Sequence, residues 1–287
     1  MKFLKWLGII LLALVILLLV GINLLAPRFR MPDEKIESMF EEEEMYYDIR
    51  TAEYKGNKIR WTEAGNPDAG TLMLMFHGAP GGFGDYSDYM MDAELSEKAL
   101  MVNMDRLGYG YSDYGDGEPS IIEHVEAGKF VLDHYNPDTI ILVGYSYGGP
   151  IAGSFAGRHP EKLKALLMLA PVNAPDAEKI FWFNPILNTA VAKLVLPGMI
   201  NTATVEKMNH AKALDAIRGD WSKIAVPVVH MHCTDDWIAP YEPNVAWSRE
   251  NISEDLLQHI SWEGDSHFLP NQVKDRIKPV MMDLLDR

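Results

Sequence analysis

The stretch that decides the fold reads Ile140-Ile141-Leu142-Val143-Gly144-Tyr145-Ser146-Tyr147-Gly148-Gly149. Four β-prone apolar residues run straight into a Gly-x-Ser-x-Gly turn, and a helix-like pattern over residues 150–159 follows. A continuous apolar run of this kind suits a strand buried on both faces, as in a parallel sheet. The turn must be tight, because a Cβ at Gly144 or Gly148 would crowd the serine that has to project from it. Ser146 is then raised at the start of a helix, where free N–H groups and the helix dipole favour a developing anion. A serine hydroxyl held there is a candidate nucleophile, but it needs a base and an acid that orients the base.

Outward from this stretch the same alternation continues. Apolar β-prone runs recur at residues 47–54, 58–63, 72–76, 99–104, 165–169, 226–232 and 257–262, with helix-like patterns at 121–134 and 273–285. Strands alternating with helices predict an α/β domain with a mostly parallel eight-stranded sheet covered on both faces. The first two runs, joined around Gly56 and Asn57, predict an antiparallel hairpin at one edge. Residues 172–223 break the alternation: they show no strand pattern and hold Phe181, Trp182, Phe183, Pro185, Pro197, Met199 and Met208. We expect a small helical lid there, its aromatic and methionine side chains serving as core rather than as binding residues.

Two strand runs end in the missing chemistry. Residues 226–232 lead into Cys233-Thr234-Asp235-Asp236-Trp237-Ile238-Ala239-Pro240, which offers two carboxylates, and residues 257–262 lead into Glu263-Gly264-Asp265-Ser266-His267-Phe268-Leu269-Pro270. A third loop, Phe76-His77-Gly78-Ala79-Pro80-Gly81-Gly82, follows the run at 72–76. Nucleophile, acid and base thus fall at carboxyl ends of strands, where α/β sheets build their sites.

These residues resemble the α/β-hydrolase fold superfamily over nearly the whole chain after the first 27 residues. The likeness rests on the elbow at Ser146, the D-x-I-x-P loop at Asp236, the G-x-x-H-F loop at His267 and the H-G-x-P-G loop at His77. It implies a triad of Ser146, Asp236 and His267, with Asp236 favoured over Asp235 by its loop spacing. It also implies an oxyanion hole made by the backbone N–H groups of Ala79 and Tyr147, and structural support from the D-R-x-G-x-G-x-S turn at residues 105–112. The activity implied is that of a serine hydrolase cleaving a carboxylic ester, or a related acyl bond, of a small-molecule substrate through an acyl-enzyme, with no cofactor and no metal. A prolyl-aminopeptidase-like amide hydrolase is one alternative, and a catalytically silent, membrane-tethered binding module is another. Haloalkane dehalogenases and epoxide hydrolases of this fold carry aspartate at the elbow, so Ser146 argues against both.

Composition narrows the field further. The 287 residues hold 26 Lys and Arg against 41 Asp and Glu, a net charge of −15, which gives no basic footprint for nucleic acid. The lone Cys233 allows no internal disulfide and no Cys-rich zinc site, and the pair His230 and His232 lacks an evident third ligand. From Trp6 to Pro27 no residue is charged, and residues 9–20 are apolar throughout. A run of about twenty apolar residues predicts a transmembrane helix, since that length spans a bilayer core. A cleaved signal peptide is the rival, but Leu24-Leu25-Ala26-Pro27 offers no small-x-small site. The expected organisation is an anchor at 1–27, a linker or surface helix at 28–46 with a solvated Glu41–Glu44 face, and a hydrolase domain at 47–287 with its lid at about 172–223. The expected localisation is single-pass in a membrane with the catalytic domain on the extracytoplasmic side. Oligomeric state is left open.

Overall fold

A computed structural model of the chain describes residues 2–25, 30–264 and 267–287. In chain order the elements are α1 (Lys2–Leu25), α2 (Asp33–Glu42), β1 (Tyr47–Tyr54), β2 (Asn57–Gly65), β3 (Thr71–Phe76), α3 (Ser87–Met90), α4 (Ala93–Lys98) and β4 (Leu100–Met104). They continue with α5 (Ile121–Leu132), β5 (Thr139–Tyr145), α6 (Gly148–Arg158), β6 (Leu163–Leu169), α7 (Asn184–Leu187), α8 (Ala190–Val195) and α9 (Gly198–Ala216). The last are β7 (Val228–Cys233), α10 (Tyr241–Asn251), β8 (Leu257–Trp262), α11 (Leu269–Gln272) and α12 (Lys274–Asp286).

The eight strands form one sheet in the order β1-β2-β4-β3-β5-β6-β7-β8. β2 runs antiparallel to both its neighbours, and the remaining pairs are parallel, as the apolar strand runs predict. Side chains alternate between the faces with a period of two. On β3, Leu72, Leu74 and Phe76 join one core with Val125 of α5 and Ile151 and Phe155 of α6. Met73 and Met75 join the other, with Leu95 of α4 and Ile277, Met281 and Leu284 of α12. Both faces are therefore dry at the centre of the sheet, which is why β3 to β6 carry so few polar residues. After β3 the chain continues to β4 on one side, and after β5 it continues to β6 on the other, so β3 and β5 flank the point where strand order reverses. Loops leaving their carboxyl ends diverge and leave a crevice between them.

Two readings of the amino-terminal region change. Among the described residues no helix is long and apolar enough to cross a membrane. The expected transmembrane anchor, and with it the membrane localisation and extracytoplasmic placement, is corrected accordingly. Residues 1 and 26–29, part of the stretch expected as anchor and linker, lie outside the described residues.

The second change concerns the stretch expected as a linker or surface helix. Its helix α2 drives Ile36 and Phe40 to full burial in the core that contains Met73 and Met75. Phe40 stacks on Tyr47 with ring centroids 5.3 Å apart, and Asp33 meets buried Arg60 at 2.5 Å. The i, i+4 spacing of Ile36 and Phe40 puts both on one face, and an apolar pair so placed is enough to dock a short helix. Glu41–Glu44 are exposed.

Residues 172–223 are helical, with α7, α8 and α9 framed by 3₁₀ turns at Pro175–Ala177 and Arg218–Lys223. The expectation that their aromatics are core fails in part. Trp182 is 82% exposed, and Phe181 and Phe183 lie stacked on each other at the surface.

Candidate active site

The elbow is built by strain and close approach. Ser146 sits at φ 52°, a left-handed conformation that a non-glycine residue adopts only when its surroundings force it. Its backbone N–H donates to Leu169 O at 2.9 Å, anchoring the turn to β6. A Cβ on Gly144 would lie 2.3 Å from Gly148 O, and one on Gly148 would lie 2.0 Å from Phe76 O. Both positions are therefore closed to any other residue. The register Phe76 with Gly144 carries the H-G-x-P-G loop beside the elbow, and Ala79, Ser146 and Tyr147 line one cavity.

The structure brings Ser146, His267 and Asp236 together. His267 Nε2 lies 2.8 Å from Ser146 Oγ, and His267 Nδ1 lies 2.7 Å from Asp236 Oδ2. With Nδ1–H donated to the carboxylate, Nε2 is free to accept the serine proton. All three side chains are nearly buried, at 7, 4 and 5% exposure for Ser146, His267 and Asp236. Asp235 is left out: its carboxylate faces away and accepts Gly264 N–H at 2.9 Å. Asp265 and Ser266, within the histidine loop, lie outside the described residues.

Asp236 is saturated with donors. Oδ1 accepts the backbone N–H of Ile238 at 2.9 Å and of Ala239 at 2.8 Å, while Oδ2 faces both His267 and His232. Burial pushes this carboxyl up, but the bonds from His232, His267 and Ala239 outweigh it and hold the group below the usual carboxylate range. It therefore stays anionic and keeps His267 in one tautomer.

Arg106, from the turn after β4, braces the loop that carries Ala79. Its side chain donates to His77 O at 3.0 Å and Gly78 O at 2.9 Å, and its backbone N–H donates to His77 Nε2 at 3.1 Å. It also forms a two-point pair with Glu206 of α9, at 2.5 and 3.3 Å, and Tyr109 donates to the same carboxylate at 2.6 Å. Burial pushes Glu206 up, yet Arg106 and His124 win and hold it at about 2. The insertion is thus bolted to the loop beside Ser146 by a buried charge pair.

The cavity, about 80 Å³, is also lined by Glu178, Lys207 and His210, none of which the sequence reading placed in a site. His210 donates through Nδ1 to Glu178, which Lys207 also contacts, and its ring lies 4.8 Å from that of Tyr147. His210 Nε2 is buried without a protein partner. A signal for this face was present in the sequence. Met199, Thr202, Glu206, His210 and Ala213 recur at helical spacing, and two of the five are ionisable where an inward stripe should be apolar.

Comparison with known proteins speaks to the fold. A family model for the alpha/beta hydrolase fold matches residues 71–191, which hold the loop at His77 and the elbow. The chain has the alpha/beta hydrolase fold. Among similar proteins, 2-hydroxymuconate semialdehyde hydrolase of Pseudomonas putida is 32% identical over 201 residues, covering 66% of this chain and 65% of that protein. The (lyso)-N-acylphosphatidylethanolamine lipase of Mus musculus is 27% identical over 176 residues, covering 58% of this chain and 47% of that enzyme. Several matches span only 40–47% of the length of the curated relatives. MGS-M2, an alpha/beta hydrolase enzyme from a Medee basin deep-sea metagenome library, superposes with a TM-score of 0.67 at 15% identity, covering 83% of this chain and 98% of that one. That likeness speaks for the hydrolase fold alone.

Proposed function

We propose that this protein is a serine hydrolase that cleaves a carboxylic ester, or a related acyl bond, through a Ser146-His267-Asp236 triad. The observation that carries the reading is the continuous relay from Ser146 Oγ through His267 to Asp236, at 2.8 and 2.7 Å, opening on a cavity shared with Ala79 and Tyr147. Ser146 Oγ attacks the scissile carbonyl while His267 Nε2 takes its proton, and the backbone N–H groups of Ala79 and Tyr147 receive the oxyanion. His267 returns the proton to the leaving group, then activates water against the acyl-enzyme by the same path reversed. Asp236 orients the imidazole and balances the imidazolium without being protonated. The catalytic domain is residues 47–287, with the insertion at about 172–223 as its lid and α2 docked onto it. Relatives named as hydrolase and lipase support acyl-bond cleavage as the class.

Ester cleavage is preferred over amide cleavage because, among the described residues, both carboxylates that line the cavity are already paired, Glu178 with Lys207 and His210 and Glu206 with Arg106, which leaves neither for a substrate amino terminus. The test is a fluorophosphonate probe together with p-nitrophenyl esters and aminoacyl arylamides. Labelling and ester turnover that vanish in Ser146→Ala support the reading. Intact protein that does not label, or labels equally after the substitution, defeats it, and faster turnover of arylamides transfers it to the amide class.

A further inference from the structure

His230 and His232 look like half of a metal site in the sequence, but in the structure they are engaged elsewhere. Both are on β7, both are fully buried, and each touches the next member of a single hydrogen-bonded line. His232 Nε2 lies 3.2 Å from Asp236 Oδ2 and 3.0 Å from Ala239 O. His232 Nδ1 lies 3.1 Å from His230 Nε2, and His230 Nδ1 lies 3.0 Å from Ser248 Oγ on α10. Ser248 Oγ in turn faces Asn173 Nδ2 at 3.1 Å.

The protons on this line can be assigned from its ends. Ala239 O is an acceptor and nothing else, and Asp236 is held as a carboxylate, so His232 Nε2 must carry a hydrogen. With one proton on each ring, His232 Nδ1 accepts, and His230 must donate from Nε2. His230 Nδ1 then accepts, and Ser248 must turn its O–H toward it. From the far end, Asn173 Nδ2 only donates, which leaves the Ser248 hydroxyl hydrogen free to point at His230. Both ends give one direction, and every donor in the line points toward Asp236.

Resting on the triad reading above, we propose that His232 and His230 are positioning residues of the reaction, fixing and stabilising the Asp236 carboxylate at Oδ2, the oxygen that also meets His267. No proton has to cross the line; its contribution is a set of aligned dipoles in a low-dielectric interior, where hydrogen bonds polarise one another. Other rings pack against both histidines. Tyr241 of α10 meets His232 edge to face at 5.7 Å, and His259 of β8 meets His230 at 5.4 Å. Burial lowers His230 well below the ordinary histidine value, and burial followed by Arg249 lowers His259 to about 4. Arg249 lies 3.4 Å from His259, and its charge adds to the lowering of His230.

The test uses the full chain with p-nitrophenyl butyrate across a pH series, with urea unfolding to establish that each variant is folded. His232→Leu should lower kcat roughly 10- to 100-fold at little change in KM, the rate equivalent of one hydrogen bond to a charged group. Its acid limb should move to higher pH, because a carboxylate that has lost a donor is a stronger base and holds the proton on His267 more tightly. His232→Gln, which can still donate an amide N–H, should recover part of the rate. His230→Leu and then Ser248→Ala should show the same changes in diminishing size, and they carry the test should His232→Leu fail to fold. A folded His232→Leu with wild-type kcat and an unmoved acid limb overturns the proposal. So does a rate loss with an unmoved limb that His232→Gln leaves uncorrected. Ser146→Ala and Asp236→Asn tell the two readings apart. If both are inactive while His232→Leu is normal, only the histidine line fails; if both keep full activity, the triad fails and the line with it.

Discussion

The loops at the strand ends and the helical insertion supply different halves of the site. Ser146, Asp236 and His267 each leave a strand of one hydrogen-bonded sheet, and their mutual distances of 2.8 and 2.7 Å are inherited from that frame. Glu178, Glu206 and His210 come from the insertion, which adds no strand to the sheet, and their arrangement depends on the Arg106–Glu206 pair and on how α9 seats. The difference teaches that a reaction can be fixed by backbone geometry while the shape and polarity of the pocket are left to a replaceable cover.

That contrast can be broken at several points. Ser146→Ala should abolish fluorophosphonate labelling and cut ester turnover by on the order of 10³-fold or more, with the cavity unchanged. Retained turnover would show that the strand-end loops do not hold the chemistry. Glu206→Gln leaves Arg106 buried without its counter-ion and should cost about 3–5 kcal/mol in urea unfolding at neutral pH. The sign with pH follows from Glu206 lying at about 2, below its ordinary value of 4.5. Its contribution is present above that ordinary value and is lost as pH falls toward 2, so the wild type and Glu206→Gln should converge in acid.

Smaller effects sharpen the comparison. His210→Leu removes the unpartnered Nε2 from the pocket and should change the kcat/KM ratio between polar and plain acyl esters by about tenfold while labelling of Ser146 persists. An unchanged ratio would mean that the insertion does not select substrates through this residue. Asp85 accepts Gly78 N–H at 3.0 Å, and burial pushes it up to about 7. From its ordinary value of 3.8 up to about 7 the folded chain holds a proton that the unfolded chain has lost, so stability falls as pH rises through that window. Asp85→Asn should therefore raise stability at pH 8 relative to pH 5 by on the order of 1 kcal/mol, read as Tm at the two pH values.

Much of this was legible in the sequence, for identifiable reasons. Strands buried on both faces must be nearly continuously apolar, so the central ones, β3 to β6, stood out before any coordinates, and the elbow declares itself because only glycine fits within 2.3 Å of a carbonyl. Other features were hidden. Ile36 and Phe40 are two apolar residues in an acidic helix, too few to distinguish a docked face from a solvated one. Trp182 and its neighbours look like core by composition, yet whether an aromatic residue is covered depends on what packs over it. His230 and His232 announce an H-x-H pattern whose meaning lies with Ser248 and Asp236, partners on other elements.

The sequence by itself determined the order of strands and helices, the strained turn at Ser146 and the residue types at each strand end, because periodicity and steric exclusion act between near neighbours. Only the tertiary structure decided that Asp236 rather than Asp235 meets His267, that Arg106 joins the loop at Ala79 to α9, and that two buried histidines point their donors at the acid. Those outcomes depend on hydrogen bonds between elements far apart in the chain, and a directional bond with a reach of about 3 Å is set only once the sheet has fixed where each element lies.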